Sequence, residues 1–152
     1  MDQAIYRELI MVDVDAKDSE DAIRKVGTLF EKYGFVKDTY VDAVVEREKV
    51  FATGLEFPGI SIAMPHTDII HVNKPGVTVA KLAHPVEFEH MGEPGRKVQA
   101  EMLFMMAIVN PEDQIGTIMK VLGVFQNEEA MEAFKAAKTE DEVYEVAKQY
   151  IG

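Results

Sequence analysis

Two residues could carry chemistry together, His66 and Arg47. His66 closes the run Gly59-Ile60-Ser61-Ile62-Ala63-Met64-Pro65-His66. Ile60, Ile62 and Met64 alternate with Ser61 and Ala63 as in a strand, and Pro65 stops its ladder. A histidine at such a strand exit is held at its backbone and open at its ring. Neutral imidazole keeps one nitrogen lone pair free at pH 7, so it can act as base, metal ligand or nucleophile. A histidine attacking a phosphoryl group also needs cationic, preferably bidentate, donors for the equatorial oxygens. Arg47 offers a guanidinium, and the short segment 48–54 feeds from it into the strand of His66. Taken singly, each has a plainer reading: a locally hydrogen-bonded histidine and a surface salt bridge.

Other chemistries fit less well. Gly59-Ile60-Ser61-Ile62-Ala63 resembles a nucleophile elbow in letters, but Ser61 sits inside an alternating strand and not at a sharp turn. His66 and His71 are five apart and His84 and His90 six apart, neither matching a helical zinc pair. No metal site is therefore expected. Neither a P-loop nor a G-x-G-x-x-G stretch occurs, so no nucleotide cofactor is expected either.

These residues need elements to position them. Ser19, followed by Glu20 and Asp21, reads as an N-cap; Ala22, Ile23, Val26, Leu29, Phe30 and Tyr33 then recur at helical spacing up to Gly34. Thr39 with Asp42 starts a second helix, whose stripe is Tyr40, Val41, Val44 and Val45. Arg47 lies along the edge of that buried face. After the His66 strand, Pro75-Gly76 marks a turn and residues 77–83 are β-rich. Residues 86–88 form a short edge candidate, 91–96 a loop, and 98–109 a central strand apolar on both faces in its second half.

Three helices close the chain. Asn110 as N-cap, Pro111 at N1 and the acids Glu112 and Asp113 start one with the expected buried stripe Ile115, Ile118, Met119, Leu122 and Phe125. Asn127 opens another, with Met131 and Phe134 buried. Thr139-Glu-Asp-Glu142 is a capping box before Val143, Val146, Ala147 and Tyr150. Helices, then strands, then helices argue for an α/β chain: a mixed sheet flanked by helices, in one domain over residues 1–152.

Composition narrows the classes. The 152 residues contain no cysteine, which removes disulfide scaffolds, thiolate metal sites and cysteine nucleophiles. The longest apolar run, residues 102–109, is far short of the ~20 residues of a membrane span. The first eight residues lack the pattern of a signal peptide. A net charge of −11 argues against nucleic acid as a partner. The expected setting is the cytoplasm. The charge is also uneven. Residues 1–49 hold 12 acids and 8 bases, residues 50–100 hold 5 and 4, and residues 101–152 hold 10 and 4. All four histidines fall in the near-neutral middle, where an anionic group could be handled.

Assembled, the sequence resembles the enzyme IIA components of the bacterial sugar phosphotransferase system, of the fructose–mannitol type. The matching pieces are Arg47-Glu48, then Thr53-Gly54, then Ile60-Ser-Ile-Ala-Met-Pro-His66. The resemblance implies a mainly five-stranded mixed sheet between helices. It implies that His66 accepts a phosphoryl group from the phosphocarrier HPr and passes it to a cysteine of a separate IIB component. That component serves sugar uptake through a membrane IIC, with no cofactor. Arg47 matches the arginine that helps hold the phosphoryl group. Many members carry a second active-site histidine early in the helix that begins here at Pro111. This chain has Gln114 there, as in galactitol-type members, which makes a galactitol-like polyol the implied sugar. Gln114 can bond a phosphoryl oxygen but brings no charge. A regulatory IIA whose phosphorylation state controls a partner, and an unphosphorylated binding module, are the alternatives.

The same chemistry sets a demand on the surroundings. A partner's histidine or cysteine must reach His66, so the surface around it should be apolar and shallow.

Overall fold

A computed structural model describes residues 3–152; the first two residues of the opening segment read above lie outside the described residues. The chain runs β1 (Ile5–Val14), α1 (Ser19–Lys32), α2 (Tyr40–Val50), β2 (Gly54–Phe57), β3 (Ile60–Ala63), β4 (Gly76–Glu89), β5 (Lys97–Ala107), α3 (Pro111–Phe125), α4 (Glu128–Ala136) and α5 (Glu140–Tyr150), with a 3₁₀ turn over Ile69–His71. Among the described residues the strands form one mixed sheet in the order β1-β4-β5-β3-β2. β1 pairs parallel with β4 and β3 parallel with β5, while β4–β5 and β2–β3 are antiparallel.

Alternation divides the side chains between two apolar layers. Ile62, Phe104, Met106 and Val77 join Val121, Phe134 and Val143 on one face. Ala63, Leu103, Met105 and Ala80 join Ile23, Val26, Phe30, Tyr40 and Val44 on the other. The sheet is therefore the middle of three layers, with α1 and α2 on one side and α3, α4 and α5 on the other. Phe104 holds the second layer together, packing edge-on against Phe125 and Phe134. The central position of β5 explains why its second half is buried without interruption from Met102 to Ala107.

Local chemistry explains most boundaries. Asn110 and Asn127 cap α3 and α4 by accepting from backbone N–H groups of Glu112 and Ala130. Thr139 and Glu142 form the complete capping box of α5. Pro58-Gly59 is the two-residue link of the β2–β3 hairpin, with Gly59 at φ 92°.

Several expectations are corrected. The cap of α1 is Asp18, whose carboxylate accepts from Asp21 N–H, while Ser19 is the first helical residue. Thr39 precedes α2 but makes no side-chain cap; its hydroxyl bonds His71 Nδ1 instead. Residues 86–88 are no separate edge, but the far half of β4, paired to β5 beyond an irregularity after Lys81. The chain does not open with helices: β1 precedes them. On α3, Phe125 is buried as expected, but Ile115 and Met119 are each 65% exposed, and Thr117, Val121 and Val124 are buried in their place.

Candidate functional site

Met106, on β5, is the fixed point on which the site is built. Its N–H donates to the carbonyl of Pro65 (3.1 Å), pinning the chain where it leaves β3. Its carbonyl accepts from the hydroxyl of Tyr40, pinning the first turn of α2. Tyr40 is fully buried, and burial pushes its phenol far above the usual range, so it stays a donor. One residue thus sets the spacing between the His66 loop and the helix that carries Arg47.

Thr53-Gly54 supplies the second fastening. The hydroxyl of Thr53 accepts from Met64 N–H (3.1 Å) and donates to Glu48 Oε1 (2.8 Å). Glu48 Oε2 accepts from Thr53 N–H (2.7 Å). Gly54 is required by close approach: a Cβ there would sit 2.7 Å from the carbonyl oxygen of Glu89. The space lets the end of β4 cross over β2, where Met91 N–H donates to Gly54 O (2.8 Å).

His66 is only 6% exposed, so its ring is not open as its place at a strand exit suggested. Its Nδ1 lies 2.8 Å from Met64 O. A carbonyl can only accept, so Nδ1 carries the proton and Nε2 keeps the lone pair. Burial lowers the pKa of His66, and the nearby positive charge of Arg47 lowers it further. The neutral, nucleophilic form is favoured.

The ring lines a cleft of about 380 Å³ together with Arg47, Thr53, His90, Gln114 and Ile118. The structure therefore brings the three candidates His66, Arg47 and Gln114 to one place, from a strand exit, α2 and the first turn of α3. Arg47 rests its guanidinium 5.0 Å from the ring centre of Phe51. His90, in the loop after β4, was not singled out from the sequence. Nothing in its neighbours His90-Met-Gly signals that β4 folds back over β2. Its Nδ1 accepts from Gly92 N–H (3.0 Å).

Exposed apolar side chains stand at the cleft beside the polar Arg47, Glu89, His90 and Gln114 of its lining. Val50 (73% exposed), Phe51 and Met91 present large side chains to solvent, as do Ile115 and Met119, which follow the lining residues Gln114 and Ile118 on α3. Among the described residues no three His, Asp or Glu side chains converge as a metal site would require. Among the same residues no helix is long and apolar enough to cross a membrane.

Comparison with known proteins shows the family of the chain. Residues 4–150 match the family model for the phosphoenolpyruvate-dependent sugar phosphotransferase system, EIIA 2. The chain belongs to that family. It is thus a phosphotransferase component, a phosphoryl carrier. The mannitol-specific EIICBA component of Vibrio cholerae is 30% identical over 146 residues, covering 93% of this chain and 21% of that protein. The chain thus spans about a fifth of that relative's length. The galactitol-specific EIIA component of Escherichia coli (strain K12) is 24% identical over 115 residues, 76% of each chain. Among solved structures, the complex of mannitol enzyme IIA with phosphorylated enzyme IIB from Escherichia coli matches with a TM-score of 0.71. The identity is 29%, covering 91% of this chain and 93% of that one. The five-stranded mixed sheet flanked by helices is the fold of these IIA proteins.

Proposed function

We propose that His66 is the phosphoryl acceptor of a sugar-alcohol phosphotransferase system. It takes the group from phospho-HPr and passes it to a cysteine of a separate IIB component, in the cytoplasm. In the first step the lone pair of His66 Nε2 attacks phosphorus, a new N–P bond forms and the donor's N–P bond breaks. The donor imidazole leaves with the electron pair. In the second, a thiolate of IIB attacks the same phosphorus and His66 recovers its lone pair. Nδ1–H stays on Met64 O throughout, so no proton needs to move within the ring.

Arg47 supplies the positive charge for the equatorial oxygens after swinging from Phe51, and Gln114 adds a neutral donor. A single arginine is a modest clamp. That suits a carrier, because an overstabilised phosphohistidine would not pass its group on. The exposed apolar rim fits a partner that must press its own side chain against the cleft. Relatives named for mannitol and galactitol support a polyol as the transported sugar, and the phosphorylated IIB bound to a mannitol IIA supports IIB as the acceptor. Gln114 favours the galactitol type.

The observation that carries the reading is the tautomer: Nδ1 is committed to Met64 O, which leaves Nε2 as the nucleophile in a cleft beside Arg47. The test is labelling with phosphoenolpyruvate, enzyme I and HPr. The expected result is one label on the wild-type chain, lost in His66→Ala. A label that persists in His66→Ala would overturn the assignment.

A further inference from the structure

Glu48 is a carboxyl group that the transfer steps above do not use. It is half-buried, and it is tied to His66 by hydrogen bonds that run through Thr53 and the backbone of Met64. Glu48 Oε1 and Oε2 accept from the hydroxyl and N–H of Thr53, at 2.8 and 2.7 Å. The Thr53 hydroxyl, only 2% exposed with its residue, accepts in turn from Met64 N–H at 3.1 Å. Met64 O then accepts from His66 Nδ1–H at 2.8 Å. Met64, whose carbonyl fixes the His66 tautomer, is thus held at its own N–H by a hydroxyl whose direction is fixed by a carboxylate.

We infer that Glu48 is a positioning residue for phosphoryl transfer, acting on the His66 ring through Thr53 and the backbone of Met64. The inference rests on the reading of His66 as acceptor. The logic is that of outer-shell support: a hydroxyl can rotate, and only an acceptor pair at Glu48 compels it to point its proton away and its lone pair at Met64 N–H.

Glu48 also gives the arrangement a pH dependence. Burial pushes its pKa up to about 7 against the pull of the two Thr53 donors. The charged groups facing it come from every neighbouring element. Arg47 and Lys49 flank it on α2, and Lys97 reaches in from β5. Against these stand Glu87 and Glu89 of β4, with Asp18 and Glu20 at the start of α1. With acids and bases so mixed, no neighbour dominates over burial. Protonation removes one acceptor oxygen from Thr53, so the hold on Met64 loosens as pH falls through about 7. Glu48 and all of these groups but Arg47 line an open cleft of about 430 Å³ on the α1 side, which gives the carboxyl a route for its proton.

The test uses the full chain and purified phospho-HPr as donor, with Glu48→Gln, Thr53→Val and Thr53→Ser. Labelling of His66 should slow about tenfold or more in Glu48→Gln and Thr53→Val, since small misplacements cost about this much, and recover in Thr53→Ser. The ratio of wild-type to Glu48→Gln rates should rise between about pH 6 and about pH 8, because only the wild type gains its carboxylate there. Imidazole nitrogen NMR of the unphosphorylated protein should show the Nδ1–H tautomer dominant in wild type and Thr53→Ser, and depleted in the other two. Rates and tautomers that stay at wild-type values in all variants overturn the inference. If Glu48→Gln does not fold, the Thr53→Val and Thr53→Ser pair decides alone. A wild type that takes no label fails the reading of His66 as acceptor, and the tautomer measurement still judges the positioning.

Discussion

The His66 ring and the carbonyl of Met64, two residues earlier in the chain, are joined by a hydrogen bond of 2.8 Å. This contact sets the tautomer, and burial sets the charge. The pKa of His66 is lowered, first by desolvation and further by Arg47. An NMR titration of the His66 ring should therefore give a midpoint below the ordinary 6.5. The sign for stability follows. The unfolded chain binds the proton near pH 6.5 and the folded chain resists it until lower pH, so this group costs stability as pH falls below 6.5 and costs none above. A midpoint at or above 6.5 would show that the ring is solvated.

Arg47→Ala should slow labelling of His66 by about 10- to 100-fold, less than the roughly 100- to 1,000-fold of a preorganised donor because the guanidinium must first leave Phe51. Its effect on folding should stay below about 1 kcal/mol, because the side chain is half-buried and its contact is a cation–π pair with exposed Phe51. Arg47→Lys should recover only part of the rate, since an ammonium lacks the guanidinium fork. Equal rates for all three proteins in rapid-quench labelling would make Arg47 a structural residue only.

The apolar rim has its own signature. Ile115→Glu with Met119→Glu places charge on side chains that are 65% exposed. The unfolding free energy should move by no more than about 0.5 kcal/mol per site, as at ordinary surface positions. The concentration of phospho-HPr needed for half-maximal labelling should rise about tenfold, because a charge at an interface core must be desolvated. Unchanged concentration dependence would place the docking surface elsewhere.

Thr78 points to a stability gain away from the site. Its hydroxyl is fully buried on β4 and has no hydrogen-bond partner among the described residues. Valine has nearly the same shape. Thr78→Val should stabilise the fold by about 1 kcal/mol by removing an unpaired polar group. A denaturant midpoint that shifts upward with an unchanged slope would confirm it; a downward shift would mean that the hydroxyl is satisfied in solution.

Much of this was legible in the sequence where local rules decide. The Asn110, Asn127 and Thr139 caps, the interior position of Ser61 and the central place of β5 all follow from residue order and turn chemistry. What was not legible depends on partners far along the chain. β1 is a strand because Val77–Leu82 lies beside it, and its mixed pattern of Arg7, Glu8 and Asp13 does not show a partner 70 residues away. Ile115 and Met119 look buried by periodicity because an apolar stripe reads the same whether the protein or a visitor covers it. At the site, the histidine and arginine could be paired from sequence, but Glu48 could not, since its role exists only once Thr53 and Met64 meet. His90 was hidden for the same reason.

The parallel pairing of β3 with β5 bears on synthesis. Ile62 lies beside Met102 and Ala63 beside Leu103, so the strand that leads to His66 gains its inner neighbour only after forty further residues have been made. Gln114 arrives later still. A growing chain on the ribosome has the Arg47 helix and the histidine long before it has the strand that spaces them. Until β5 is in place there is no Met106 to hold Pro65 and Tyr40, and the nascent histidine is an ordinary imidazole on a mobile chain. On the role proposed for His66, the order of the sheet would keep unfinished molecules from drawing phosphoryl groups out of the relay.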